Sequence, residues 1–482
     1  MKRAKRIYIL LGVLAVVCIA AFAVMQYQEQ QELIQNTDDI ILEVDSGAVQ
    51  SLSWSYDGDT LAFHRDGTWL YDGDEAFPVD GEKINELLET FQAFGAAFII
   101  HDVTDFAQYG LDDPVCTIGL TTKDTSYEIQ LGDYSTMDAQ RYVSIGDGNV
   151  YLVQEDPLDT FDVELSDLID NDETPSFDRV ESIQFTGSDS YQVIYQEDSG
   201  YSCCAGDVYF KEQDGTYLPL DTSLVDSYLS GITSLSPTDY VTYNAAEEDL
   251  ATYGLDNPEL TVAVTYTPAG DEDSGETAEP LVFTISISRD PEERSAAEEA
   301  ERTEEAERTE EAERTEEDDA AGITAYVRIG ASKIIYQITG AQYKELMAAS
   351  YNDLRHQEVF CADFSDVTGL DITLEDTVYT ITSEGAGDSR TFSYNGEEIE
   401  IADLQDALEA ITASRFTDEN PAQKEEISLT VHLDNENFPE IRIQLYRFDG
   451  EQCLAVVDGK PVSLVSRSSV VDLIEAVNAI VL

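Results

Sequence analysis

A six-residue string occurs twice in this chain, and the distance between its copies limits the folds open to it. Tyr109-Gly110-Leu111-Asp112-Asp113-Pro114 returns as Tyr253-Gly254-Leu255-Asp256-Asn257-Pro258, so Gly110 and Gly254 stand 144 residues apart. A repeat of that length is a whole domain with its own core, not one turn of a solenoid. In each copy a short helical segment, Thr104 to Tyr109 and Glu247 to Tyr253, is expected to end with the glycine in the left-handed C′ position. A residue with a Cβ enters that conformation only at a cost of ~1–2 kcal/mol. Leu111 and Leu255 then fall at C″, facing Phe106 and Leu250 at C3 as in a Schellman ending, and the proline stops the helix from resuming. The motif ends helices; nothing in it performs chemistry.

Around this marker the hydrophobic pattern repeats. Val49, Leu52 and Trp54, then Leu61 and Phe63, then Thr68 to Tyr71 are β-prone runs separated by the turn pairs Asp57-Gly58 and Asp66-Gly67. Asp80 is placed to cap a helix whose stripe is Ile84, Leu87, Leu88, Phe91 and Phe94, with Val79 and Ile84 as a hydrophobic staple. Strands follow at Cys116 to Thr121, Tyr127 to Leu131, Arg141 to Ile145 and Val150 to Val153, and Asp156-Pro157 opens a second helix. A second unit keeps the order: strands at Val180 to Phe185, Tyr191 to Tyr195 and Val208 to Phe210, a helix capped by Asp221, then Leu260 to Tyr266, Leu281 to Ser288, Ala325 to Ile329 and Ile334 to Ile338. Its terminal helix lies near Gln342 to Ala348. A third, degenerate unit has strands from Leu370 to Tyr394, a helix through Leu404, Leu408 and Ile411, and strands from Ile427 to Leu464. There Phe416-Thr417-Asp418-Glu419-Asn420-Pro421 keeps the proline but loses the glycine, so a different connection is expected. The fold class is therefore α+β: tandem domains, each a mainly antiparallel sheet with two helices.

The amino terminus reads as a membrane anchor. Lys2, Arg3, Lys5 and Arg6 precede the uncharged apolar run Ile7 to Met25, whose 19 residues at the helical rise cross a hydrocarbon core of roughly 30 Å. Bases before the run and acids after it keep the terminus in the cytoplasm and place the rest outside. A cleaved signal peptide is the competing reading, since Ala21-Phe22-Ala23 has the small-x-small form; a lipoprotein reading through Cys18 is weakened by Val17. The expected organisation is 1–25 as basic tip and anchor, 26–45 as stalk, 46–175, 176–360 and 361–482 as three units.

With 26 basic against 99 acidic residues and a formal charge of −73, the surface repels phosphates, which excludes nucleic acid as a partner. Part of that charge is foreign to the repeat. Residues 289–321 replace the short loop Tyr134 to Gln140 of the first unit and contain three copies of Glu-Ala-Glu-Arg-Thr-Glu from Glu299 to Glu316. With no apolar stripe, the segment is expected to be disordered or transiently helical.

The sequence carries no recognisable catalytic, cofactor-binding or metal set. His64, His101, His356 and His432 each stand alone in sequence. No nucleophile elbow, phosphate loop or dinucleotide fingerprint is present. Asp167 to Glu173 is weighed as a calcium loop, but it lacks EF-hand spacing and reads as a solvated linker. Trp54 and Trp69 read as strand packing. Cys116, Cys203, Cys204, Cys361 and Cys453 have no regular spacing, so no disulfide framework is expected and Cys203-Cys204 reads as a buried or strand-borne pair of thiols.

Gly67-Thr68-Trp69, Pro78-Val79-Asp80, the Tyr109 to Pro114 string, Ile129-Gln130-Leu131-Gly132-Asp133 and Val150-Tyr151-Leu152-Val153 together resemble the bacterial domain of unknown function 4340. Tyr351-Asn352-Asp353-Leu354-Arg355 is similar to that family's closing segment. The resemblance implies membrane-anchored extracytoplasmic proteins linked to ABC-type transport systems of the gliding-motility-associated kind, and it brings no catalytic residues. The expected function is a non-enzymatic accessory or interaction protein, with the membrane and ABC transporter subunits or envelope components as partners. A carboxylate-based envelope hydrolase and a calcium-stabilised adhesin are the alternatives.

Overall fold

The computed structural model describes residues 39–101, 103–137, 139–204, 206–268, 279–304, 322–385 and 387–482. The expected anchor 7–25 and most of the stalk lie outside these. Among the described residues no helix is long and apolar enough to cross a membrane. The chain divides into two compact units, Met1–Asn171 and Asp172–Leu482; the first carries one nine-stranded sheet and the second carries two.

Sheet one contains β1 (Asp39–Leu42), β2 (Val49–Tyr56), β3 (Asp59–Asp66), β4 (Thr68–Tyr71), β5 (Phe94–Ile100), β6 (Cys116–Thr122), β7 (Ser126–Ser135), β8 (Gln140–Ser144) and β9 (Val150–Val153). Their order is β1-β5-β9-β8-β7-β6-β2-β3-β4. Sheet two contains β10 (Arg179–Gly187), β11 (Tyr191–Tyr195), β12 (Tyr209–Gln213), β13 (Thr216–Pro219), β14 (Tyr240–Thr242), β15 (Leu260–Thr267), β16 (Leu281–Arg289), β17 (Ala325–Ile329) and β18 (Ile335–Ile338), ordered β13-β12-β11-β10-β15-β16-β17-β18-β14. Sheet three contains β19 (Val367–Leu374), β20 (Thr377–Glu384), β21 (Thr391–Tyr394), β22 (Glu397–Ile399), β23 (Ala413–Phe416), β24 (Glu425–Leu433), β25 (Glu440–Arg447), β26 (Gln452–Val457) and β27 (Lys460–Ser466). It is ordered β22-β21-β20-β19-β24-β25-β26-β27-β23.

One plan underlies all three. A meander runs outward from a central strand (β2, β10, β19), a second runs the other way from its antiparallel neighbour (β6, β15, β24), and the strand between them in sequence (β5, β14, β23) pairs with the end of that second meander, as the far edge in sheets two and three and with β1 outside it in sheet one. The central pair slips register at the same place each time, between Val49 and Ser51, Val180 and Ser182, and Val367 and Gly369. Bulges of this kind re-aim a strand and are retained as features. Sheet three therefore copies the plan even though its marker string has decayed.

Alternation makes one face of each sheet apolar, as along Leu260–Thr267, where every second residue is buried. Helices cover that face. Gly81–Glu89 is capped by Asp80, whose carboxylate accepts from the amides of Glu82 and Lys83, and it buries Ile84, Leu87 and Leu88. Thr222–Thr233 is capped in the same way by Asp221, whereas Ala402–Glu409 has no side-chain cap. Several expectations need correction. The first stripe does not run on as helix: the helix ends at Glu89, and Phe94 opens β5. Asp39–Leu42, within the expected stalk, pairs with β5. Sheet two carries four helices rather than two, because Gly340–Met347 is followed by Tyr351–Leu354 and the insertion begins with the helix Pro291–Glu304.

That last helix has a physical basis. Asp290 caps it by accepting from the amide of Glu292. Arg294 donates to the carbonyl of Asn257, and Glu293 accepts from the amide of Thr324. The start of the acidic insertion is thus tied to the second copy of the marker string; residues 305–321 lie outside the described residues.

The marker strings behave as helix stops, with shorter helices than expected. Only the 3-10 turns Ala107–Tyr109 and Leu250–Tyr253 form, and Gly110 and Gly254 both take φ 69°. Leu111 N–H donates to Phe106 C=O and Gly110 N–H to Ala107 C=O, with the same two bonds at Leu255 and Gly254, which is the Schellman pattern. A second constraint was not visible in sequence. A Cβ at Gly110 would lie 2.9 Å from the amide nitrogen of Asp133, and one at Gly132 would lie 2.2 Å from Tyr109 C=O. The stop therefore packs directly on the Gly132-Asp133 strand segment.

Candidate functional site

Within the second compact unit, two stretches far apart in sequence meet between sheets two and three. The first is the loop from β11 to β12. Ser202 Oγ donates to Asp207 Oδ2 (2.5 Å) and accepts from the amide of Cys204 (3.0 Å). Thr222 Oγ1 donates to Gly206 C=O and accepts from the amide of Val208, which holds this loop on the start of the helix capped by Asp221. The second stretch is the strap from Arg355 to Asp363. It begins where Tyr351–Leu354 ends, a helix capped by Ser350 with Asp353 completing the capping box. It then pairs with the segment leading into β23, through Val359 N–H to Ile411 C=O, Ala413 N–H to Gln357 C=O and a bridge between Glu358 and Thr412.

Three kinds of contact fix the strap, two of them to the loop. Cys204 and Cys361 form a disulfide with Cα atoms 5.7 Å apart, within the usual range for such a bond. This corrects the reading of Cys203 and Cys204 as a pair of thiols: one of them is bonded to a cysteine 157 positions away, a pairing that sequence spacing does not encode. Cys203 packs against the core of sheet three, its Sγ 3.7 Å from that of Cys361, and burial pushes its thiol pKa up to about 11. Arg355 stacks its guanidinium over Tyr351 and over Phe416, 4.9 and 4.3 Å from the ring centres.

The third contact is His356. Its Nε2–H donates to both oxygens of Asp207, at 2.9 and 3.0 Å, and the Asp207 side chain is only 3% exposed. Nδ1 faces Asp221 Oδ2 at 3.7 Å and Glu358 Oε2 at 3.9 Å. Burial pushes the His356 pKa down, but the Asp207 hydrogen bond and the charges of Asp207, Asp221 and Glu358 outweigh it and hold the imidazole above its ordinary value. For Asp221, burial pushes upward, while bonds from the side chain and amide of Ser223 and the nearby imidazole hold the carboxyl below the usual range. The group opens on a cleft of about 640 Å³ whose wall also includes Asp226, Asp363 and Glu409. Such a cleft favours cations. The Asp207–His356 pair resembles part of a triad, and the far nitrogen faces the carboxylates of Asp221 and Glu358.

The other residues weighed from sequence lie outside this group. His64 pairs with Asp72 at 2.5 Å and His432 with Asp371 at 3.0 Å, while His101 is exposed. In the acidic stretch, Asp167 Oδ2 accepts from the amide of Glu164, Ile169 is buried and bridges Val79, and the amide of Asp170 donates to Pro78 C=O. Asp172 Oδ2 accepts from the Tyr336 hydroxyl. Trp54 stacks on Phe63 and meets Phe161 edge-on, and Trp69 is buried under Arg65. Sequence reasoning missed the His356 group because its members are 149 positions apart. The only local sign was the Asp221 cap, which marks a helix start and not a site.

Comparison with known proteins returns a family described as Domain of unknown function (DUF4340), matched over residues 69–202 and 213–430 and so over most of the chain. No curated protein and no solved structure matches it.

Proposed function

Because this chain belongs to the DUF4340 family, which is described by its domain and not by an activity, we propose a function from the molecule's own chemistry: a non-enzymatic accessory protein, held at a bacterial membrane by its amino terminus, with its sheets outside the cytoplasm. The Cys204–Cys361 disulfide carries this reading, since such bonds persist in oxidising compartments and are rare in the cytosol. The basic cluster Lys2, Arg3, Lys5 and Arg6 before the apolar run points to the same topology.

The accessory role is supported by what the cleft between sheets two and three does with its polar groups. Asp207 and Ser202 fix the loop and the strap, and Asp221 Oδ1 fixes a helix start, so the junction is built to hold two sheets together. The partner on this reading is an ABC-type transport complex or another envelope component. Photo-crosslinking from the β16–β17 side of sheet two in living cells tests it: recovery of a membrane transport subunit or envelope component is expected, and recovery of cytosolic proteins alone would refute it.

A further inference from the structure

We propose that His356 Nδ1, Asp221 Oδ2 and Glu358 Oε2 form a binding site for a divalent cation of the zinc class, with Asp207 orienting the histidine from behind. The three ligand atoms lie within 4.8 Å of one another. Tetrahedral coordination with metal–ligand bonds of about 2.0–2.2 Å puts neighbouring ligand atoms about 3.3–3.5 Å apart. The observed 3.7 and 3.9 Å from Nδ1 to the two carboxylates stand within a few tenths of an ångström of that spacing, and the two carboxylate oxygens, no more than 4.8 Å apart, close on a metal with shifts of up to about 1.3 Å. Glu358, 44% exposed, has the freedom to make them.

Each group is prepared for the role. The two hydrogen bonds from Nε2–H to Asp207 fix the tautomer that leaves Nδ1 with its lone pair, the carboxylate–histidine–metal arrangement of established sites. Asp221 Oδ1 is held by the amide and hydroxyl of Ser223, leaving Oδ2 toward the imidazole. A nitrogen ligand selects zinc, nickel or cobalt over calcium or magnesium, which take oxygen ligands alone. His356 and Asp221 line the cleft of about 640 Å³, which has room for water as a fourth ligand. Asp221 caps a helix of sheet two while Glu358 pairs with Thr412 beside sheet three, so a bound cation would fasten the junction that the disulfide already bridges. This site is independent of the identity of any partner; its failure would leave the accessory reading standing.

The test is calorimetric titration of zinc chloride into the full chain in mild detergent, in excess calcium to occupy oxygen-only sites. One tight zinc per chain is expected, with a rise in the melting temperature. H356Q should abolish that event, and D207N should weaken it about 10–100-fold. Cobalt(II) should give the visible absorption of a low-coordinate site in the parent chain and not in H356Q. E358Q changes a half-exposed side chain and repeats the test without touching a buried group; it should also weaken zinc. Zinc affinity and stoichiometry unchanged in both H356Q and E358Q, or no zinc event above calcium in the parent chain, would overturn the site.

Discussion

Replacing Gly110 by alanine separates the two constraints that act on the helix stop. The first is conformational: φ is 69°, where a Cβ costs ~1–2 kcal/mol. The second is steric. The new Cβ would stand 2.6 and 2.7 Å from the Asp133 carboxylate and 2.9 Å from its backbone nitrogen. The carboxylate can swing away, but the nitrogen belongs to the strand segment that the stop packs against, and overpacking of this kind costs ~1–3 kcal/mol. The sum is roughly 2–5 kcal/mol. Gly67 supplies the control, since its φ is +79° and nothing lies within 4 Å of its would-be Cβ, so G67A should cost only ~1–2 kcal/mol. The chain has two tryptophans, Trp54 and Trp69, both buried in the core of sheet one. Their fluorescence during urea unfolding therefore reports this unit alone. With a slope of ~1–3 kcal/mol/M, G110A should lower the midpoint by about 1–2 M and G67A by well under that. Equal shifts for the two variants would refute the close-approach argument, and a lost activity with an unchanged midpoint would refute the structural reading of the motif.

Other perturbations follow from named contacts. Arg141 donates to both oxygens of Asp156 and to Gly132 C=O while almost wholly buried, so D156A should strand a buried charge and cost about 3–5 kcal/mol in the same tryptophan assay; a loss below about 1 kcal/mol would contradict that. In C204S, Cys203 should take over the bond to Cys361, because the two sulfurs already stand 3.7 Å apart; peptide mapping without reduction should find Cys203–Cys361, and two free thiols would be the contrary result. Burial pushes the Glu259 carboxyl up, but hydrogen bonds from Arg289 and Tyr343 and the Arg289 charge hold it below its ordinary value. Its contribution is thus fully present above the unfolded pKa of about 4.3 and is lost as pH falls through the lower folded value. Acid unfolding followed by near-UV circular dichroism should show that loss in the parent chain and a flatter acid limb in E259Q.

What the sequence disclosed and what it hid divide along physical lines. Local signals survived: Asp80 and Asp221 cap the helices they were expected to cap, both marker glycines are left-handed, and the alternating runs of the central strands are strands. The short edge strands β13, β14 and β22 escaped notice because an edge strand needs little apolar alternation, and β5 escaped because Phe94 continued a helical stripe by coincidence of spacing. The decayed string at Phe416 to Pro421 was expected to connect differently, and it does: β23 runs to Phe416, and Thr417 N–H donates to Val462 C=O without a left-handed glycine. The His356 group and the disulfide lay beyond reach because both depend on tertiary contact between the loop and the strap. Neither Cys204 nor Asp207 carries a mark in sequence that names its partner.

The central claim, that sheets two and three lie outside the cytoplasm with their junction covalently closed, is tested most directly by the redox state of two cysteines in the cell. Cells are quenched in acid, free thiols are alkylated, and the protein is digested without reduction for mass spectrometry. The account predicts a linked peptide pair containing Cys204 and Cys361, with Cys116 and Cys453, buried and free in the structure, alkylated after denaturation. Full alkylation of both Cys204 and Cys361 would contradict it.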